Sequence, residues 1–182
     1  MKNIFTLLAL TISFSMNAQL ATVTEDSNTG QRLSTSTAAN HGDIGNRAVD
    51  LSYSSGASAT RGATGSYSTA MGRTTTASAE SSTAMGRTTI ASAESSTAMG
   101  GFTTATGNYS TAMGTNTAAS GYASTAMGIF TTASASYSTA MGGDTTASGN
   151  YSTAMGSFTT ASDYSSLVIG RYNSSGSSVT NS

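Results

Sequence analysis

Large apolar side chains are few along this chain and regularly placed. Beyond an apolar run at residues 4–14, the one that recurs is Met, every fourteenth position. The stretch STAMG begins at Ser68, Ser82, Ser96, Ser110, Ser124, Ser138 and Ser152, and a variant, SLVIG, begins at Ser166. With Ser68 as position 1, the first half of the repeat reads S-T-A-M-G-x-(T/F) and the second T-T-A-(S/T)-(G/A)-x-(S/Y). Ala holds the third place of both halves. Phe102, Phe130 and Phe158 fill position 7, and Tyr67, Tyr109, Tyr137 and Tyr151 fill position 14. Thr-rich pieces of four or five residues punctuated by Gly predict short strands and tight turns. Two strands and two turns per fourteen residues predict one coil of a β-solenoid, an all-β fold. A seven-residue subperiod also suits a coiled coil in number, but not in chemistry. A heptad seam needs two large apolar residues per heptad with charged flanks, and each Gly would cost a helix roughly 1 kcal/mol.

Strand side chains alternate faces, so Ala at position 3 points opposite to Thr and Met at positions 2 and 4. The simplest arrangement turns both Ala columns inward across a thin roll. One column is Ala70, Ala84, Ala98, Ala112, Ala126, Ala140 and Ala154; the other is Ala77, Ala91, Ala105, Ala119, Ala133, Ala147 and Ala161. Gly at position 5 is read as the turn residue. Met71, Met85, Met99, Met113, Met127, Met141 and Met155, continued by Ile169, then lie on one outer face. A continuous apolar stripe on one side is an interaction surface, and the Met column is expected to be an oligomer interface. The alternative places Met inside the roll and Ala outside.

The rest of the chain divides around this array. Residues 1–18 carry a positive end at Lys2, an apolar run and then small residues to Ala18. That run is too short for a bilayer and fits an export signal cleaved after Ala18, which places the mature chain outside the cell or at the outer-membrane surface. Residues 19–46 are a polar, aperiodic leader, and 47–67 a capping segment in which Val49, Leu51 and Tyr53 alternate as in a half-buried strand. Seven full repeats and a degenerate eighth occupy 68–179, and 180–182 form a tail.

Composition excludes several function classes. Without its signal the chain has six Arg against eight acids, a net charge of −2, and so no electrostatic footprint for nucleic acid. Cys is absent, so no disulfide framework supports the fold. No second apolar run offers a direct membrane span. His41 is the only His and reads as a solvated leader residue; the repeats supply no Ser-His-acid set, metal cluster or cofactor motif. The expectation is no enzymatic activity. Arg73, Arg87 and Arg171 at position 6 and Glu80 and Glu94 at position 13 are read as exposed turn charges.

The repeats resemble the head domain of trimeric autotransporter adhesins of the YadA type, which carries a fourteen-residue motif around N-S-V-A-I-G-x-x-S. "SSLVIGRYN" at 165–173 is the nearest local match, "YSTAMGTNT" at 109–117 is a typical repeat, and "AVDLSYS" at 48–54 is similar to the family's head-entry strand. The resemblance covers residues 47–179. It implies a left-handed parallel β-roll, a homotrimer, and adhesion of a surface head to an extracellular surface or matrix ligand. Two alternatives remain open. Threonine columns Thr69 through Thr153 and Thr75 through Thr159, at the ~4.8 Å strand spacing, could present an ice-binding lattice. Equally, the roll could be a passive spacer.

Overall fold

The structure, a computed structural model, describes residues 20–175. The expected export signal at 1–18 and the tail at 180–182 lie outside the described residues. Every coil of the array lays down one five-residue strand and one two-residue strand, from β5 (Thr69–Arg73) and β6 (Thr76–Ala77) to β17 (Thr153–Ser157) and β18 (Thr160–Ala161). β19 (Leu167–Arg171) begins the last coil, and β3 (Val49–Tyr53) and β4 (Gly62–Ala63) form an irregular first one. The long strands stack into one sheet of eleven and the short strands into a second sheet of eight. Within the array neighbouring strands are parallel and in register, so Ala70 pairs with Ala84 and Met71 with Met85. The product is a β-solenoid of fourteen-residue coils.

The leader is ordered. β1 (Leu20–Glu25) and β2 (Asn28–Leu33) form an antiparallel hairpin, and β2 runs parallel to β3. The hairpin thereby covers the N-terminal edge of the large sheet, where an open row of backbone donors and acceptors would otherwise invite pairing. Its aperiodic sequence belongs to an antiparallel pair, which shares neither the period nor the register of the coils.

The interior of the roll is built from small side chains. All fourteen Ala of the two columns are fully buried, as are Ser at position 1 and Thr at position 8 in most coils. A methyl group per strand lets the two sheets close on each other. At ~0.8 kcal/mol per methyl-sized group, such a core supplies only part of the stability. The remainder must come from the ladders, in which successive coils exchange backbone bonds near 2.9 Å, as from Thr83 N to Ser96 O and from Thr76 N to Thr89 O. The position 8 hydroxyls of Thr75, Thr89, Thr103, Thr117, Thr131, Thr145 and Thr159 are enclosed there without a hydrogen-bond partner in the chain.

The corners differ from the expected Gly turns. Chain direction reverses through left-handed residues at positions 7 and 14, where Thr74, Phe102, Tyr109 and Tyr137 have φ between 56° and 61°. Gly at position 5 sits inside the long strand, with φ from 112° at Gly72 to 126° at Gly128. A Cβ on Gly114 would lie 2.0 Å from the carbonyl oxygen of Gly128 in the next coil. Gly is required there by the approach of neighbouring coils, and the turn itself is made elsewhere.

Candidate interaction surface

Position 4 side chains project from the outer face of the large sheet, opposite to the buried Ala. Met71, Met85, Met99, Met113, Met127, Met141 and Met155 are each half-buried, because each rests on the same residue of the coil above and below. The register extends the column at both ends. Leu51 pairs with Met71, and Met155 pairs with Ile169, which is 57% exposed. Beside it runs position 2, starting at Val49, continuing through Thr69 to Thr153 and ending at Leu167, 65% exposed. The sheet thus carries an uninterrupted apolar and methyl-bearing stripe across nine strands without a charged side chain at positions 2 or 4. Leu51 and Val49 belong to it, although alternation alone marked them only as parts of a capping strand.

The opposite face is different in kind. The short-strand sheet shows Thr76, Thr104, Thr132, Thr146 and Thr160 at position 9, half-buried, and exposed Ser or Thr at position 11. The Thr75 to Thr159 column does not share that surface, being buried inside the roll. An ice-binding lattice assembled from the position 2 and position 8 threonines is therefore ruled out, since only one of the two columns reaches solvent.

Two aromatic edges separate the faces. At the corner containing position 14, Tyr109, Tyr122, Tyr137, Tyr151 and Tyr164 form a continuous file with ring centroids 4.9–5.5 Å apart. The position 7 corner carries Phe102, Phe130 and Phe158 instead, and Arg87 of one coil lies 4.7 Å over the Phe102 ring of the next. Arg at position 6 and Glu at position 13 occupy opposite corners. Glu94 accepts a hydrogen bond from the Tyr109 hydroxyl at 3.2 Å. That bond, with the repulsion between the carboxylate and a phenolate, raises the Tyr109 phenol above its ordinary value.

The charged chemistry of the chain is concentrated in the cap. Asp50, in register with Ala70, puts a fully buried carboxylate where every later coil has a methyl group. His41 Nδ1 lies 2.9 Å from Asp50 Oδ2, Arg32 Nε lies 3.5 Å from the same oxygen, and the Ser52 hydroxyl donates to Asp50 Oδ1 at 2.6 Å. Arg32 also donates to both Glu25 oxygens, at 2.8 and 3.1 Å, and to the Gly42 carbonyl at 2.8 Å. Partial burial works against ionisation of Glu25. The Arg32 hydrogen bond, the Ile44 N–H at 2.7 Å and the nearby positive charges outweigh it and hold the carboxyl below its usual value.

His41 is therefore a buried neighbour of the Asp50 carboxylate, not the solvated leader residue the sequence suggested. Its signal was Asp50, an acid on the inward side of a strand flanked by Val49 and Leu51, which required polar partners nearby. Ser52, His41 and Asp50 also meet without forming a nucleophile. A catalytic base accepts the serine proton on one ring nitrogen while the acid holds the other. Here Ser52 donates to Asp50 itself, and both lie against His41 Nδ1, with the Ser52 Oγ at 3.5 Å. The cluster is suited to terminating a core. Among the described residues no group of three or more His, Cys, Asp or Glu could hold a metal ion, and no helix is long and apolar enough to cross a membrane.

Comparison with protein families identifies matches to the YadA head domain repeat, two copies per match, at residues 63–88, 91–117, 119–145 and 147–173. A comparison with curated proteins finds no match.

Proposed function

The chain belongs to the family of YadA head-domain repeats, and from that premise we propose that it is the head of an exported surface adhesin that assembles as a homotrimer and attaches by multivalent contacts. The observation that carries the reading is the apolar column from Leu51 through the seven Met to Ile169, on one face of a structure whose other surfaces are hydroxyl-rich or aromatic-edged. Full burial of a Met is worth about 1.5–3 kcal/mol. With about half of each Met already covered by its neighbours, closing the column against two other chains would add on the order of 5–10 kcal/mol gross per chain. Ladders of Met suit this use because an unbranched thioether adapts to a facing ladder of the same residue.

Adhesion then follows from repetition. Coils at ~4.8 Å intervals present the same shallow Thr and Ser pattern along three chains. Many weak identical contacts give attachment through effective concentration, with no deep pocket required. The binding partner is an extracellular surface or matrix component.

The test compares beads coated with residues 19–182 and beads coated with the Met113→Glu variant at equal chain density, on matrix-protein surfaces. The wild-type beads are expected to resist shear at flows that remove the variant, whose charge at the centre of the column separates the chains. Retention of neither above uncoated beads would contradict the adhesin reading, and equal retention of both would contradict its dependence on trimer assembly.

A further inference from the structure

The tyrosines are segregated in a way that neither the fold nor trimer assembly requires. Five of the chain's eight Tyr come from five successive coils and meet on one edge. The opposite corner of the same coils is given to Phe, Asn and Asp. Tyr137 and Tyr151 stack nearly parallel, 4.9 Å apart with 9° between ring planes, and the other three neighbouring pairs are edge-on at 5.4–5.5 Å. All five rings are substantially exposed, from 45% at Tyr122 to 73% at Tyr164. Phe in their place would give the same packing. What Phe lacks is a phenol, and the chemistry that distinguishes adjacent phenols is radical coupling.

We propose that this edge is an oxidative modification site, at which a peroxidase with hydrogen peroxide joins phenols of successive coils as dityrosine within one chain. Each of two phenols loses one electron and one proton. Hydrogen peroxide takes up both electrons and both protons, its O–O bond breaks, and two waters leave. The two phenoxyl radicals form one carbon–carbon bond between ring positions ortho to oxygen. The hydrogen on each joined carbon then moves as a proton to the phenolic oxygen, restoring both aromatic rings and both hydroxyls. Each link therefore consumes one peroxide.

The backbone holds the partners ready for this step. Tyr137 N donates to the Tyr122 carbonyl at 2.7 Å and Tyr151 N to the Ser136 carbonyl at 3.0 Å, so neighbouring corners cannot slip in register. Solvent-exposed rings retain the side-chain rotation needed to bring ortho carbons together. A radical formed on any of the five can also migrate along the file to the best-placed pair. At Tyr109 the Glu94 carboxylate, 3.2 Å from the hydroxyl, is positioned to accept the departing proton. Linked corners would pin adjacent coils along the edge, a covalent reinforcement in a chain that has no Cys.

Dilute residues 19–182 would be treated with peroxidase and hydrogen peroxide, then followed by dityrosine fluorescence, denaturing electrophoresis, intact mass and peptide mapping. Fluorescence is expected in the band of a single chain, with two hydrogens lost per link and Tyr137–Tyr151 the most abundant pair. The variant Tyr122→Phe with Tyr151→Phe keeps the ring packing but leaves no two neighbouring coils of the file with a phenol on this edge. Its intrachain signal should fall at least tenfold, whereas Tyr53→Phe with Tyr172→Phe, off the file, should match wild type. No product, product only between chains, undiminished product in the first variant, or an equal yield from the urea-unfolded chain would each overturn the proposal.

Discussion

Replacing Gly114 with Ala tests the reason for the glycine column at its centre. The residue has φ of 119°, and its new Cβ would stand 2.0 Å from the Gly128 carbonyl oxygen, where real contacts do not fall below about 3 Å. Holding a non-Gly residue in such a conformation costs about 1–3 kcal/mol. Relieving the clash means moving two paired strands apart by about 1 Å, which gives up one or two ladder hydrogen bonds at about 0.5–1.5 kcal/mol each. Together the loss is roughly 2–5 kcal/mol, or about 4–20 °C in Tm for a chain of this size. The control lies in the neighbouring strand. Gly101, at position 6, has nothing within 4 Å of a built Cβ and no positive φ, so Gly101→Ala should be neutral or stabilise by about 0.4–1 kcal/mol. Thermal unfolding followed by circular dichroism reads both. If Gly114→Ala lowers stability by less than about 1 kcal/mol, or behaves like Gly101→Ala, close approach of coils is not what fixes glycine there.

Further predictions concern the interior and the cap. Thr117→Val removes a buried hydroxyl without a partner and keeps the shape, so it should leave stability unchanged or raise it by about 1–3 kcal/mol in denaturant titration; a clear loss would show that the hydroxyl is bonded. Asp50→Ala installs the residue that later coils carry at this register, yet it should destabilise by about 3–5 kcal/mol, because Arg32 and His41 lose their buried partner. A cost near zero would mean the cap has no need of the charge. Glu25 has a folded pKa below its unfolded one, so its contribution is present above the unfolded value and disappears as pH falls through the folded value. Exchange of the Ile44 amide, corrected for its intrinsic rate, should accelerate over that acid window, and Glu25→Gln should abolish the dependence; an unchanged profile in the variant would refute the assignment.

Strict repetition made the array readable from sequence. Fourteen-residue spacing fixes the number of strands, the parallel register and the pairing of each Met and Ala with its own copy in the next coil. Alternation separates positions 3 and 4 to opposite faces, and that choice follows once Ala is recognised as the residue small enough for a thin interior. The corners were not legible, because left-handed turns usually announce themselves with Gly or Asn, and here Phe, Tyr and Thr occupy them. Coil-to-coil backbone bonds hold those residues in place, a tertiary constraint that local preference does not express. The cap was missed for a related reason. Arg32, His41 and Asp50 come from three separate segments, and although the inward side of its strand marks Asp50 as needing partners, nothing local shows that Arg32 and His41 supply them until the hairpin folds over the first coil.

The Met column as an interface between three chains is tested most directly by sedimentation equilibrium of residues 19–182, alone and with Met113→Glu. Wild type is expected to sediment at three times the chain mass across the loading range. The variant should shift towards a single chain, with unchanged circular dichroism showing that each roll stays folded. A wild-type monomer at every concentration, or an identical trimer in the variant, would contradict the account.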